Sequence, residues 1–298
     1  MQVRVQQKET DRQLVPAAEK PVNAGGSPPA SPSKNNWRKK VTGFFSKRMK
    51  AWLMTAGISV FILLWELTAR FSGWSDHVFP RPMVVAGSIY ELFISGVLIE
   101  HTVASLFRVT LGFYLAVILA IPLGIVLGRV KTIHLLLGPT IQLLRPISPL
   151  AWIPLAMLWF GIGDPPAVFL IFLSSFFPLV VSISVASRSI NSVFFQVAAN
   201  FNFTRMETFT KIIIPAIIPA VATALRISIT IAWVVVVAAE MIAVQSGLGY
   251  LILDSRNALR MDYVMAGMIV IGIIGLLLDI VIKRLGKIDS AKWGAVFD

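Results

Sequence analysis

The chain has 298 residues, of which 56% are hydrophobic and 14% charged, and it carries a formal net charge of +12. The small charged fraction excludes an ordinary water-soluble domain, whose surface needs nearer a quarter charged residues. The placement of the charge argues against nucleic acid as a partner: 11 of the 27 basic residues lie within residues 1–50 and most others flank apolar blocks, as in membrane proteins, while the absence of cysteine excludes disulfides and thiolate metal sites.

Residues 1–36 are polar and rich in Pro, Ser, Ala and Gly, and cannot bury enough surface to offset ordering entropy. They lead into the basic run Arg38, Lys39, Lys40, Lys47, Arg48 and Lys50, so residues 1–50 are expected to form a disordered basic tail. The first apolar stretch begins past residue 50, too far along for a signal peptide, and is expected to be an uncleaved anchor. A helix crossing the hydrocarbon core needs about 20 apolar residues. Spans are predicted near 51–70, 108–128, 134–160, 167–187, 212–243 and 263–284. The expected fold is therefore an all-α integral membrane protein with about six transmembrane helices in one domain, 51–293, and a short end at 294–298. Residues 80–100, opening on Pro80-Arg81-Pro82, are too polar to span and are predicted as an interfacial or extramembrane helix.

Orientation follows from basic residues near the helix ends. With the amino terminus inside, the inner segments hold the tail together with Arg129, Lys131, Arg188, Arg205, Lys211, Lys283, Arg284, Lys287 and Lys292. The outer segments hold Arg70, Arg81, Arg108, Arg256 and Arg260. Twenty basic residues inside against five outside place both termini in the cytoplasm.

Motifs for common chemistries are absent. There is no Gly-x-x-x-x-Gly-Lys-Ser/Thr phosphate loop, no His-Glu-x-x-His and no Gly-x-Ser-x-Gly. His77, His101 and His134 lie far apart in sequence, so no metal site and no catalytic residue is expected.

The connection Arg188–Lys211 is long for a bundle and has helical character of its own. Ser192–Phe201 reads as a short helix containing Gln196, Val197, Ala198 and Ala199. Asn202 tolerates the left-handed conformation that ends a helix. Thr204-Arg205-Met206-Glu207 fits a capping box. A helix–turn–helix elbow results, closed by Ile212-Ile213-Ile214-Pro215. It resembles the Glu-Ala-Ala loop of ABC-transporter permeases, with Gln196-Val197-Ala198 at the Glu-Ala-Ala positions, Asn202 at the Gly and Pro215 thirteen residues on. Gln, Val and Asn are departures; Asn supplies the same backbone geometry as Gly. Arg145–Leu155, Trp159–Gly163, Leu225-Arg226-Ile227, Ala238–Met241, Ser246–Tyr250 and Gly272–Asp279 are similar to the taurine, sulfonate, nitrate and bicarbonate permease group. The resemblance covers about residues 50–293.

That resemblance implies a type I ABC importer permease-like fold in a bacterial inner membrane. It also implies a second copy of the permease, two cytoplasmic ATPase subunits and an external or periplasmic substrate-binding protein. Gln196, Val197, Ala198, Ala199, Asn202, Arg205 and Glu207 would form the contact with the ATPase. ATP and Mg would be held by those partners, with no cofactor in this chain, and the substrates would be small anions. Arg145 and Arg226 fall in or near apolar spans, where charge usually faces a polar cavity or a partner. Either they line an anion path together with Glu240, or Arg145 is satisfied by backbone carbonyls or by Glu240. Pro146, Pro149 and Pro154 remove backbone donors within one span. That span is therefore expected to be broken, and its break to border the path. Trp152, Trp159 and Trp233 either gate this path or are packing and anchoring residues. The competing readings are a stand-alone secondary anion transporter or channel, which would usually show two related halves, and an intramembrane enzyme, which would need a catalytic pair.

Overall fold

The computed structural model describes residues 35–71 and 73–293. They fall into two units that divide after Ser59. Helix α1 runs Asn35–Phe71, so residues 35–50, assigned above to the tail, are helical. No proline interrupts that stretch, and the helix of the first span extends back through the basic run. Residues 1–34 of the expected tail, and the end 294–298, lie outside the described residues.

From Val60 onward the described residues are helical throughout their regular elements. The helices are α2 Pro82–Ile94, α3 Val97–Arg129, α4 Lys131–Leu144, α5 Ile153–Phe160, α6 Asp164–Arg188, α7 Ser192–Asn200, α8 Arg205–Thr208, α9 Ile214–Ala243, α10 Leu248–Asn257 and α11 Met261–Trp293. A 3₁₀ turn, Pro149–Trp152, precedes α5, and a π turn, Phe209–Ile213, joins α8 to α9. Among the described residues, five stretches are long and apolar enough to cross a membrane: Trp52–Phe71, Val97–Arg129, Asp164–Arg188, Arg205–Ala243 and Met261–Arg284. Lys131–Leu144 and Pro149–Phe160 form a sixth when taken as one span, bent by 90°. Pro146 and Pro149 flank this bend, where two backbone donors are missing and the residues before them are pushed out of the helical region.

Two boundaries differ from those predicted. Helix α3 begins at Val97 and not near 108, so the interfacial segment shortens to α2. Gly96, at φ 78°, lets the chain turn between the two helices where a side chain would be strained. Helix α10 was not predicted, because its ten residues are too few and too polar to register as a span.

The pairing of α3 with α6 forms the middle of the second unit. Gly112, Ala116, Ala120, Gly124 and Gly128 recur every fourth residue along one face of α3. A methyl group on Gly124 would stand 2.7 Å from Ile183, and one on Gly128 2.5 Å from Ser187. The stripe of small residues lets the two backbones approach closely, the usual basis of helix association in lipid. Away from this seam α3 exposes Val103, Phe107, Leu111, Tyr114 and Ile118, an apolar face suited to hydrocarbon. On the far side of α9, Trp233 is buried and donates its indole N–H to the Ile271 carbonyl of α11 at 3.1 Å.

Candidate functional site

The elbow between α6 and α9 is built by local hydrogen bonding. The Asn191 side chain caps α7 by accepting from the Val193 amide at 3.0 Å. At its far end, Asn202 sits at φ 54°. The Asn202 amide donates to the Ala199 carbonyl at 3.0 Å, and the Phe203 amide to the Ala198 carbonyl at 2.9 Å. This pair of bonds is a Schellman closure, with Asn where glycine is usual. The capping box then starts α8: the Thr204 amide donates to Glu207 Oε2 at 3.0 Å, and the Glu207 amide to Thr204 Oγ1 at 3.2 Å. Lys211 holds the other oxygen of Glu207 at 2.9 Å.

One side of the elbow faces the helices. Ala198 is buried, and the Arg129 guanidinium at the end of α3 lies 3.9 Å from the centre of the Phe195 ring. The other side carries apolar groups into the open: Val193 and Val197 are about half exposed, Phe201 is 72% exposed and Met206 69%. Residues 193, 197 and 201 share one helix face. Ala199 is exposed as well, and Gln196, Asn202 and Arg205 are exposed beside it, so this surface has an apolar centre and a polar margin. Such a composition is that of a protein contact. Of the expected coupling residues, Ala198 alone faces inward.

The residues expected along a path do not converge. Arg145, at the end of α4 beside the bend, lines a concavity of about 650 Å³ between α4 and α6. Trp152 is half-buried and packs with Ile153, Ala167 and Ala243. Trp233 is a packing residue between α9 and α11, since its indole is consumed by the Ile271 carbonyl. Arg226 is paired with Asp279 through two hydrogen bonds, of 2.7 and 3.1 Å. It therefore already has an anionic partner within the chain. Pro146 and Pro149 stand at the bend, Pro146 exposed.

Glu240, expected along the path, is the centre of a buried knot. Its carboxylate accepts from Arg108 Nη1 at 2.7 Å, from Ser105 Oγ at 2.9 Å and from the Gly249 amide at 3.0 Å. Arg108 also reaches Asp164 Oδ1, at 2.7 Å from Nη2, the Ser246 carbonyl at 2.9 Å and the Ser246 hydroxyl. Ser105 accepts from the Leu248 amide at 2.9 Å, and His101 Nδ1 from the Gly247 amide at 3.0 Å. The knot thus ties α3, the start of α6, the end of α9 and the start of α10. Arg108, expected near the outer end of the second span, stands eleven residues inside the apolar helix that starts at Val97. Its burial was not anticipated. The available signal was an Arg and a Glu in separate apolar stretches, each needing a partner.

Residues 120–292 match the family described as binding-protein-dependent transport system inner membrane component. The chain is 34% identical over 235 residues to the taurine transport system permease protein TauC of Escherichia coli, covering 77% of this chain and 86% of that relative. It is 33% identical over 232 residues to the nitrate import permease protein NrtB of Synechocystis sp., covering 74% of this chain and 83% of the relative. A chain of the MetNI methionine ABC transporter, in an inward-facing conformation, shares the fold with a TM-score of 0.58 at 14% identity, covering 66% of this chain and 97% of that one.

Proposed function

Since the chain belongs to the binding-protein-dependent transport system inner membrane components, we propose that it is the permease subunit of an ATP-driven importer of a small anion. The elbow Arg188–Lys211 is the part that couples it to separate ATPase subunits. The observation that carries this is the exposed apolar face of α7, Val193, Val197 and Phe201, held rigid between an Asn191 cap and a Schellman closure at Asn202. A rigid apolar knuckle standing on a polar margin is a docking element, and Phe195 beneath Arg129 ties it to α3. Displacement of the elbow is thereby delivered to α3 on one side and, through the π turn, to α9 on the other.

The elbow side is the cytoplasmic side, by the excess of Lys and Arg around it. Both termini lie there. ATP and Mg belong to the ATPase partners, since this sequence has no phosphate-binding loop. A second copy of the chain and an external binding protein complete the assembly. The similarity to taurine and nitrate permeases supports a sulfonate or a small inorganic oxyanion as the substrate class. Val197→Asp and Phe201→Asp, each placing a charge on the apolar face, test the docking assignment. Both are expected to lower co-purification of the ATPase subunits with this chain at least tenfold while the chain keeps its elution volume in detergent. Co-purification at the unaltered level in both would overturn the assignment.

A further inference from the structure

We infer that the concavity between α4 and α6 binds an oxyanion, held by Arg145 and Arg188. This deepens the importer reading and rests on it only for the list of natural ligands. The concavity, about 650 Å³, lies within the volume range of small-ligand sites. None of its lining residues is acidic, and the polar ones are His134, Gln142, Arg145, Ser184, Arg188 and Ser189. Among the described residues neither arginine has a carboxylate within ion-pair distance. Arg188 Nη2 reaches the Leu127 carbonyl at 3.5 Å, a long contact that leaves the rest of its donor fork available. Two guanidinium groups in one recess suit a tetrahedral or planar oxyanion, which each can hold by paired N–H bonds.

The remaining wall is apolar: Ile141, Val180 and Val181 face the same space. A ligand with an oxyanion head and a short hydrocarbon part meets both surfaces. Val180 and Arg188 lie eight residues apart on α6, so the recess runs roughly 12 Å up from the elbow end of the helix. Its two arginines have particular places in the chain. Arg145 stands at the 90° bend after α4, and Arg188 ends α6, three residues before the Asn191 cap of the elbow. An anion held between them links the bend to the elbow.

A sulfonate and a phospholipid headgroup share this chemistry, and the test separates them. The full chain is placed in nanodiscs of zwitterionic phosphatidylcholine, and thermal unfolding is followed against sodium methanesulfonate, with sodium chloride at equal ionic strength as reference. A saturable stabilisation is expected. Its half-effect concentration should rise about tenfold in Arg145→Gln and in Arg188→Gln. It should recover partly in Arg145→Lys and stay unchanged in Arg256→Gln, an exposed arginine on α10. In nanodiscs containing anionic phosphatidylglycerol, native mass spectrometry counts retained lipid. Retention lost in both Gln variants would identify the headgroup as the oxyanion source. Equal half-effect concentrations and equal lipid retention across the unaltered chain and both Gln variants would overturn the site. Such a result, with ATPase co-purification intact, would leave the importer reading standing.

Discussion

Arg108 of α3 and Glu240 of α9 meet at 2.7 Å, 132 residues apart in sequence, and their side chains are only 2% and 0% exposed. A buried ion pair is held at a large desolvation cost and is hard to break from one side only, because the remaining charge is stranded. Arg108→Ala is expected to destabilise the fold by about 3–5 kcal/mol, read as a fall in the detergent melting temperature. Adding Glu240→Gln to Arg108→Ala should cost less than the two single changes combined, because the pair acts as a unit. Strict additivity would show that the two residues do not depend on each other.

Gly247 and Gly249 pass the backbone directly over Glu240. A Cβ on Gly247 would lie 2.3 Å from the Glu240 carboxylate, and Gly247 adopts φ 102°. Gly247→Ala should therefore lower stability by more than about 1–3 kcal/mol, through both strain and displacement of the carboxylate. Gly272→Ala, with open space around it, should leave the melting temperature unchanged or slightly raised. Equal melting temperatures for the two variants would contradict this geometry.

Asn202 and Leu259 are the described non-glycine residues with positive φ, at 54° and 58°. Both close a helix in the same manner: the Arg260 amide donates to the Ser255 carbonyl at 2.9 Å, and the Leu259 amide to the Arg256 carbonyl at 3.1 Å. Leucine in the left-handed region costs about 1–2 kcal/mol. Leu259→Gly should raise stability by about 0.5–1 kcal/mol after the added chain entropy of glycine is allowed for. Asn202→Val should lower it by about 1 kcal/mol. Chemical unfolding in mixed micelles measures both.

A change at Arg129 should separate docking from transmission. Its guanidinium covers Phe195 on the inner side of α7, away from the apolar face proposed to meet the ATPase. Arg129→Gln is expected to keep ATPase co-purification while lowering ATP-driven uptake several-fold. Equal loss of both would mean that Arg129 supports the elbow's fold and does not relay its motion.

Much of the elbow was legible in the sequence because its structure is local. The Asn202 turn, the Thr204–Glu207 box and the helix start at Ser192 are each fixed within four residues, and such short-range bonds leave a trace in residue type; the Asn191 cap itself was not predicted. The bend beside Pro146 and Pro149 was legible for the same reason. The knot was not, since it depends on the side-by-side packing of α3, α6, α9 and α10, which periodicity does not encode. The small-residue stripe on α3 is likewise silent in the sequence, because only the packing of Ile183 and Ser187 against it makes it a seam. Trp233 and Glu240, both in apolar spans, are satisfied by neighbours within the chain.

The most direct test of the importer assignment is uptake into proteoliposomes holding this chain with the proposed ATPase subunits, given a candidate binding protein and labelled taurine or nitrate. Uptake of one anion that requires ATP, and that falls to background in Val197→Asp and Phe201→Asp together with ATPase co-purification, is the predicted result. Uptake that continues without any ATPase subunit, and is unaffected by either elbow change, would contradict the account.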